Sequence, residues 1–382
     1  MSAFRKYLRD RFNARELNER FSITDLATHE FDEIVAWHNP SESTPLRREM
    51  LRFSQIANKN AFDEVFVKFG RSLKPDLIVA QWNHLGDFGQ ISGDERCLLP
   101  GDLWGKNEDY LWYSTGDMAN HTELASGILG EATLQARYIR GAFDNKPFTL
   151  GKYESVRIRA AISELAANGG APMGFYTAFE DPDARRDIVR YYNFLRDHDN
   201  LYRASRPHAE ALLLFPRSHV HEGEVASVTR FKEIGKRLLD DHVLFDVLPD
   251  DRLTRYAVVI SNTLDTLPRD LSHFDAPTTV RVSASRPAKG NELTLHFVNY
   301  NREEPADKKN RGSGIKDEKP IAAPPCRADL KLDPKQRVTS VEFLTPEASD
   351  ARALKFQRAA NRLHFTVPEF LVYGVVRVQL SK

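Results

Sequence analysis

Four short apolar runs between residues 76 and 178 set the limits on what this chain can fold into. They lie at 77–80 (Leu-Ile-Val-Ala), 110–113 (Tyr-Leu-Trp-Tyr), 147–150 (Pro-Phe-Thr-Leu) and 173–178 (Met-Gly-Phe-Tyr-Thr-Ala). Amphipathic stretches with helical spacing lie between and after them: 123–140, 155–167 closed by Asn168-Gly169-Gly170, and a third that starts on Asp181-Pro182 and runs to Tyr202. This strand–helix rhythm predicts parallel βα units. Two more helices precede the first run. One covers 4–21, with Phe4, Tyr7, Leu8, Phe12, Leu17 and Phe21 on one side. The other runs from Thr44-Pro45 to about Leu73, with Met50, Phe53, Val65, Phe66 and Phe69 expected on its buried side. A closed (β/α)8 barrel takes eight strands and about 250 residues, so the first 204 residues supply about half of one.

The remainder reads as two further units. Strands at 209–215, 244–248 and 256–261 with a helix at 225–241 predict a small α/β unit of doubly wound type. From Pro277 the hydrophobic period changes to two, and six runs (279–283, 293–298, 329–332, 338–343, 363–367 and 372–380) predict a C-terminal β-sandwich. Residues 301–325, rich in charge, Gly and Pro, read as a long mobile loop. The expected fold class is thus α/β plus all-β: a partial TIM barrel over 1–204, an α/β unit over 205–275 and a β-sandwich over 276–382.

Composition narrows the function classes. Lys and Arg number 54 and Asp and Glu 54, so the formal net charge is zero and neither nucleic acid nor an anionic membrane is called for as a partner. The N-terminal residues alternate charged and apolar types, unlike a signal peptide, and no run is long enough for a membrane span; a cytoplasmic location is the expectation for the chain as written. Cys97 and Cys326 admit at most one bridge, and two unpaired thiols is the simpler reading. His219, His221, Glu222 and Glu224 are metal-ligand types but lack a third partner at standard spacing, so no metal is expected. Nucleotide- and phosphate-binding glycine motifs and the serine-hydrolase elbow are likewise not found, and no cofactor is expected.

Beyond this architecture, local words carry a resemblance. The segment Phe4 to Phe12 with Arg15-Glu16-Leu17-Asn18, the stretch from Leu51 to Pro75 followed by Ile78 to Asn83, the residues 233–248 and 256–262, and Leu295-His296-Phe297-Val298-Asn299-Tyr300 are collinear with the later two-thirds of family 42-type glycoside hydrolases. The chain resembles these β-galactosidase-like enzymes. The resemblance implies a barrel followed by a flavodoxin-like trimerisation domain and a β-sandwich, retaining hydrolysis of a galactoside-like carbohydrate, and a homotrimer. It also implies that barrel strands 1–4, with the acid/base Glu that closes strand 4, are missing, and that the flavodoxin-like unit is shortened between about Thr266 and Pro277.

Retaining hydrolysis needs one ionised carboxylate to attack the anomeric carbon and one protonated carboxyl to serve the leaving oxygen, both at the C-terminal ends of barrel strands. Counting 77–80 as strand 5 puts Glu154 just past strand 7, the family's nucleophile position. The same residue reads equally as an acidic group favoured by a helix start. Trp82, Asn83, His84, Trp112, Tyr113 and Tyr176 are candidate substrate-binding residues, since rings cover the apolar faces of sugars and amide or imidazole groups bond hydroxyls. A chain lacking the acid/base could equally be a non-catalytic remnant that binds carbohydrate or serves assembly.

Overall fold

The computed structural model describes residues 2–31, 42–80, 82–84, 103, 105–114, 124, 127, 129–152, 158–174, 182–252, 256–261, 263–264, 266–288, 290–304 and 319–381. Where one helix was expected over 4–21 there are two, α1 (Ser2–Arg11) and α2 (Ala14–Phe21). Asn13 makes the break. Its side chain accepts from the Glu16 amide at 2.9 Å while the Glu16 carboxylate accepts from the Asn13 amide at 2.8 Å. This capping box starts a second helix.

The long helix α3 (Pro45–Phe62) begins on Thr44, whose hydroxyl accepts from the Arg47 amide at 3.2 Å. It continues as a π-helical segment, Asp63–Phe69, and a short α4 (Gly70–Leu73). The expected buried side does not persist through the π segment. Met50, Leu51 and Val67 are buried, whereas Val65, Phe66 and Phe69 are more than half exposed. A stripe spaced for α-helical turns drifts off the buried face when the turns widen.

Strands β1 (Trp82–His84), β2 (Leu111–Ser114), β3 (Phe148–Lys152) and β4 (Ala171–Gly174) form one sheet in the order 1-2-3-4, parallel throughout. Helix α5 (Glu131–Ala142) crosses from β2 to β3 and α6 (Ile158–Ala167) from β3 to β4. Among the described residues the sheet is open, with β1 and β4 at its edges. The first strand is displaced from the expected 77–80. Val79 already lies beside Asp109, accepting from its amide at 2.8 Å, but the Val79 amide donates to the Asp109 carboxylate at 2.6 Å rather than to a backbone carbonyl. The regular ladder therefore starts at Trp82. The fourth strand begins at Ala171 rather than 173, and positions 175–178 lie outside the described residues.

After α7 (Pro182–Asp197) and α8 (Asp199–Tyr202), β5 (Arg206–Pro207) joins the edge of a later sheet. Strand β6 (Ala211–Phe215), α9 (Arg217–His221), α10 (Ala226–Asp240), β7 (Phe245–Pro249) and β8 (Val259–Ile260) form a three-stranded parallel sheet in the order 7-6-8 with its helices. Strand order 2-1-3 is how a doubly wound sheet begins.

The C-terminal strands are β9 (His273–Asp275), β10 (Val280–Arg286), β11 (Glu292–Asn299), β12 (Arg302–Glu303), β13 (Lys319–Pro320), β14 (Cys326–Lys331), β15 (Arg337–Leu344), β16 (Arg352–Ala353), β17 (Phe356–Ala359), β18 (Arg362–Val367) and β19 (Tyr373–Ser381). They build a six-stranded sheet, 16-15-19-11-10-5, and a four-stranded sheet, 17-18-14-9. Leu293, Leu295, Phe297, Leu330, Leu363, Phe365 and Val376 share one core between them. Cys326 is a buried free thiol in that core, pushed up to about 12 by burial, whereas Cys97 lies outside the described residues. Within the 301–325 segment, expected as a loop throughout, β12 pairs with β13 and Ala323 bridges to Phe370, while its residues 305–318 lie outside the described set.

The three parts meet on α5 and α6. A Cβ at Gly141 would fall 2.0 Å from the Val247 carbonyl oxygen, so glycine is what lets α5 lie against β7. All ten residues of α6 are buried, and Ile158, Ala160 and Ile162 share a core with Tyr191 of α7 and with Val298, Tyr373 and Val375 of the six-stranded sheet. A helix enclosed on every side cannot be the outer layer of a domain that stands alone.

Candidate active-site rim

All four strands of the first sheet run the same way, so their C-terminal ends share one edge. The register is uninterrupted: Trp82 lies opposite Trp112, then Thr149 and Ala171; Asn83 lies opposite Tyr113, then Leu150 and Pro172; His84 lies opposite Ser114, then Gly151 and Met173. Five of the seven candidate residues thus occupy neighbouring positions on β1 and β2. Glu154 follows the last residue of β3 by two positions and, like Tyr176, lies outside the described residues.

The two faces of the sheet differ. Leu111, Phe148 and Leu150 are buried in one core with Leu134, Tyr138 and Ile139 of α5. Each such side chain taken from water contributes about 1.5–3 kcal/mol. Trp112 and Thr149, of opposite parity, are half-buried. This helix-backed sheet fixes the rim from behind. At its N-terminal end, Lys146 donates to the Glu108 carbonyl at 2.7 Å, and Asp109 accepts from Arg71 at 2.8 Å. The Val79 amide, then the Arg71 guanidinium, hold the Asp109 carboxyl below the usual carboxylate range.

Behind the sheet lies a buried polar cluster that sequence periodicity did not reveal. Arg137 of α5 donates to Asn168 Oδ1 at 3.0 Å, to the Phe245 carbonyl at 2.9 Å and to the Val282 carbonyl at 3.3 Å. Arg140 pairs with Asp246 at 2.8 Å, both nearly inaccessible. Glu164 of α6 accepts from the amide and hydroxyl of Thr133 at 3.0 and 3.1 Å, and the buried Tyr300 shares this environment. Burial, then the Glu164 carboxylate, push the Tyr300 hydroxyl well above its ordinary value. The one available signal was five polar or charged residues, Glu131, Thr133, Gln135, Arg137 and Arg140, on a twelve-residue helix.

A second chain of polar groups runs from Ser285 Oγ to His296 Nε2 (3.0 Å), from His296 Nδ1 to the Tyr373 hydroxyl (2.9 Å) and on to the Tyr202 hydroxyl (3.2 Å). A Ser–His pair invites a nucleophilic reading, but Ser285, His296 and Tyr373 are all buried and no substrate reaches them. The chain ties α8 to β10, β11 and β19. His219 is held by Glu224 (Nδ1 to Oε2, 2.5 Å), which raises its pKa. Among the described residues no group of three His, Cys, Asp or Glu side chains is arranged to hold a metal ion. Nor is any helix among them long and apolar enough to cross a membrane.

No family model matches the sequence, and no curated protein matches it. Solved structures do. α-L-Fucosidase isoenzyme 2 from Paenibacillus thiaminolyticus aligns with a TM-score of 0.56 at 12% identity, over 88% of this chain and 72% of that one. A rhamnosidase from Novosphingobium sp. PP1Y aligns with a TM-score of 0.48 at 10% identity, over 87% of this chain and 39% of that one. The fucosidase likeness establishes the fold class: the chain has a glycoside hydrolase-like fold.

Proposed function

We propose that this chain belongs to the β-galactosidase-like, family 42-type glycoside hydrolases, with Glu154 as the nucleophile of a retaining mechanism. In this reading β1–β4 are barrel strands 5–8 within residues 1–204, 205–275 is the flavodoxin-like trimerisation unit, and 276–382 is the β-sandwich. The observation that supports it is the consecutive, all-parallel order of β1–β4, with Trp82, Asn83, His84, Trp112 and Tyr113 at neighbouring positions on β1 and β2 and Glu154 two positions after β3 in sequence. The fucosidase's fold supports it.

In the first half-reaction a Glu154 carboxylate oxygen bonds to the anomeric carbon as the bond from that carbon to the leaving oxygen breaks. An ordinary alcohol leaves only with a proton, which the family takes from the Glu after strand 4. An activated phenolate departs without one. Hydrolysis of 2,4-dinitrophenyl β-galactoside thus tests the nucleophile alone: the chain is expected to release dinitrophenol from it, and Glu154→Gln is expected to abolish the reaction. Equal rates in wild type and variant would remove Glu154 from the mechanism. The alternative reading is carbohydrate binding without turnover. Calorimetric binding of galactose with no release of dinitrophenol would support that one.

A further inference from the structure

The geometry points to a second carbohydrate-binding site, on the outer face of the four-stranded sheet and apart from the β1–β4 rim. Strand register builds it. Gln357, His364, Asp329 and His273 lie directly opposite one another across β17, β18, β14 and β9, forming a single row of outward positions. A second row alongside carries Thr366, Arg327 and Asp275. The alternate residues Ala328, Leu330, Leu363, Phe365 and Phe274 point the other way and are buried in the sandwich core. The outward rows line a groove of about 960 Å³, with Leu354 and Phe356 at its β17 side. That size suits a small-molecule or short-oligomer site.

The chemistry of the groove selects the ligand class. Its charges cancel: Arg327 and Lys355 against Asp275 and Asp329, with Arg327 paired to Asp275 at 2.9 Å. An anion would meet two carboxylates, and an apolar ligand would meet a polar floor. What remains is amide, imidazole, hydroxyl and carboxylate groups in rows, donors beside acceptors. Arg362 and His364 pair with Asp329 Oδ1 at 3.7 Å. The Asp329 side chain is 38% exposed, so its carboxylate can also accept from a ligand in the groove. A neutral polyhydroxylated ligand supplies hydroxyls that donate to Asp329 and accept from Gln357, Arg327 and the imidazoles. The fold's glycoside hydrolase likeness bears only on the choice of saccharide as that polyol.

The test is affinity electrophoresis of the full chain in native gels containing soluble galactan, xyloglucan or laminarin. Retardation is expected in at least one. The double variant Gln357→Ala/His364→Ala should weaken that binding tenfold or more, and so should Thr366→Arg, which fills the groove from an exposed position without removing a core contact. Thermal melts of both variants check that the fold is retained. Glu154→Gln should be retarded like wild type, so failure of the catalytic reading leaves this readout intact. No retardation in any gel, retardation unaffected by both groove variants, or retardation lost only in Glu154→Gln would overturn the proposal.

Discussion

Arg137 and Phe245 meet twice. The guanidinium donates to the Phe245 carbonyl at 2.9 Å, and its central carbon lies 4.3 Å from the centroid of the Phe245 ring. Through this pair α5, which backs the first parallel sheet, is fastened to the central part of the chain, and the bond from Arg137 to the Val282 carbonyl extends the junction to the sandwich. Burial, then the neighbouring Arg140 guanidinium, pull the Arg137 pKa below the usual guanidinium value. The charge is tolerated because three acceptors and a ring face receive it.

Arg137→Met should therefore cost about 3–5 kcal/mol, because it strips the donor from the Asn168 side chain and from two carbonyls at once. Arg137→Lys should recover little of this, since an ammonium cannot span three acceptors in a fork. Urea denaturation of the whole chain measures it. A loss under about 1 kcal/mol for Arg137→Met would show that the junction holds without the guanidinium.

Stability should fall in mild acid because burial holds imidazoles neutral, the buried His296 and the half-buried His208 foremost. Burial, then Arg140, lower His296 to about 3, and burial, then Arg286, lower His208 to about 4. Both stay neutral in the folded chain while the unfolded chain takes up protons below about pH 6.5. Their contribution is complete above pH 6.5 and is lost as the pH falls toward 4 and 3. Each adds a slope of roughly 1.4 kcal/mol per pH unit within its window. His296→Gln should lower stability at pH 7 yet reduce the slope between pH 6.5 and 5, to which His208, His242 and His198, all lowered by burial, also contribute. Urea midpoints across that range give the slope, and an unchanged one would mean that His296 is not held neutral.

The surface of the π-helical segment should bind hydrophobic dyes. Val65, Phe66, Phe69, Leu73 and Ile78 are 53, 56, 61, 74 and 71% exposed and form one apolar stretch ahead of the edge strand β1. Contiguous apolar patches of this kind are uncommon on monomeric proteins. Phe66→Glu/Phe69→Glu should cut bis-ANS fluorescence severalfold and raise solubility without lowering the melting temperature. Unchanged fluorescence would place the dye site elsewhere.

The alternation of apolar runs and helical stretches was legible because each run is short and bounded by Gly, Pro or Asp. Strand boundaries were less so. The Asp109 carboxylate intercepts the Val79 amide and delays β1 by several residues, a side-chain event that periodicity does not register. Periodicity also misread α3: the stripe through Val65, Phe66 and Phe69 fits an α-helix, but the backbone turns π there. The candidate rim was legible in its positions, since the register does set Trp82 against Trp112 and Asn83 against Tyr113. The Arg137–Asn168–Glu164 cluster was not. Glu164 and Asn168 are neighbours on α6 and the turn after it, but Arg137 is 31 residues from Asn168 and meets it only once α5 and α6 pack together.

Covalent trapping at Glu154 tests the proposed mechanism most directly. With 2,4-dinitrophenyl 2-deoxy-2-fluoro-β-galactoside, departure needs no proton donor, and the fluorine slows breakdown of the glycosyl ester. Intact-mass analysis followed by peptide mapping should find one fluorogalactosyl group per chain, on the peptide bearing Glu154, and none on Glu154→Gln. A chain that stays unlabelled, or carries the label on any other carboxylate, would contradict the assignment.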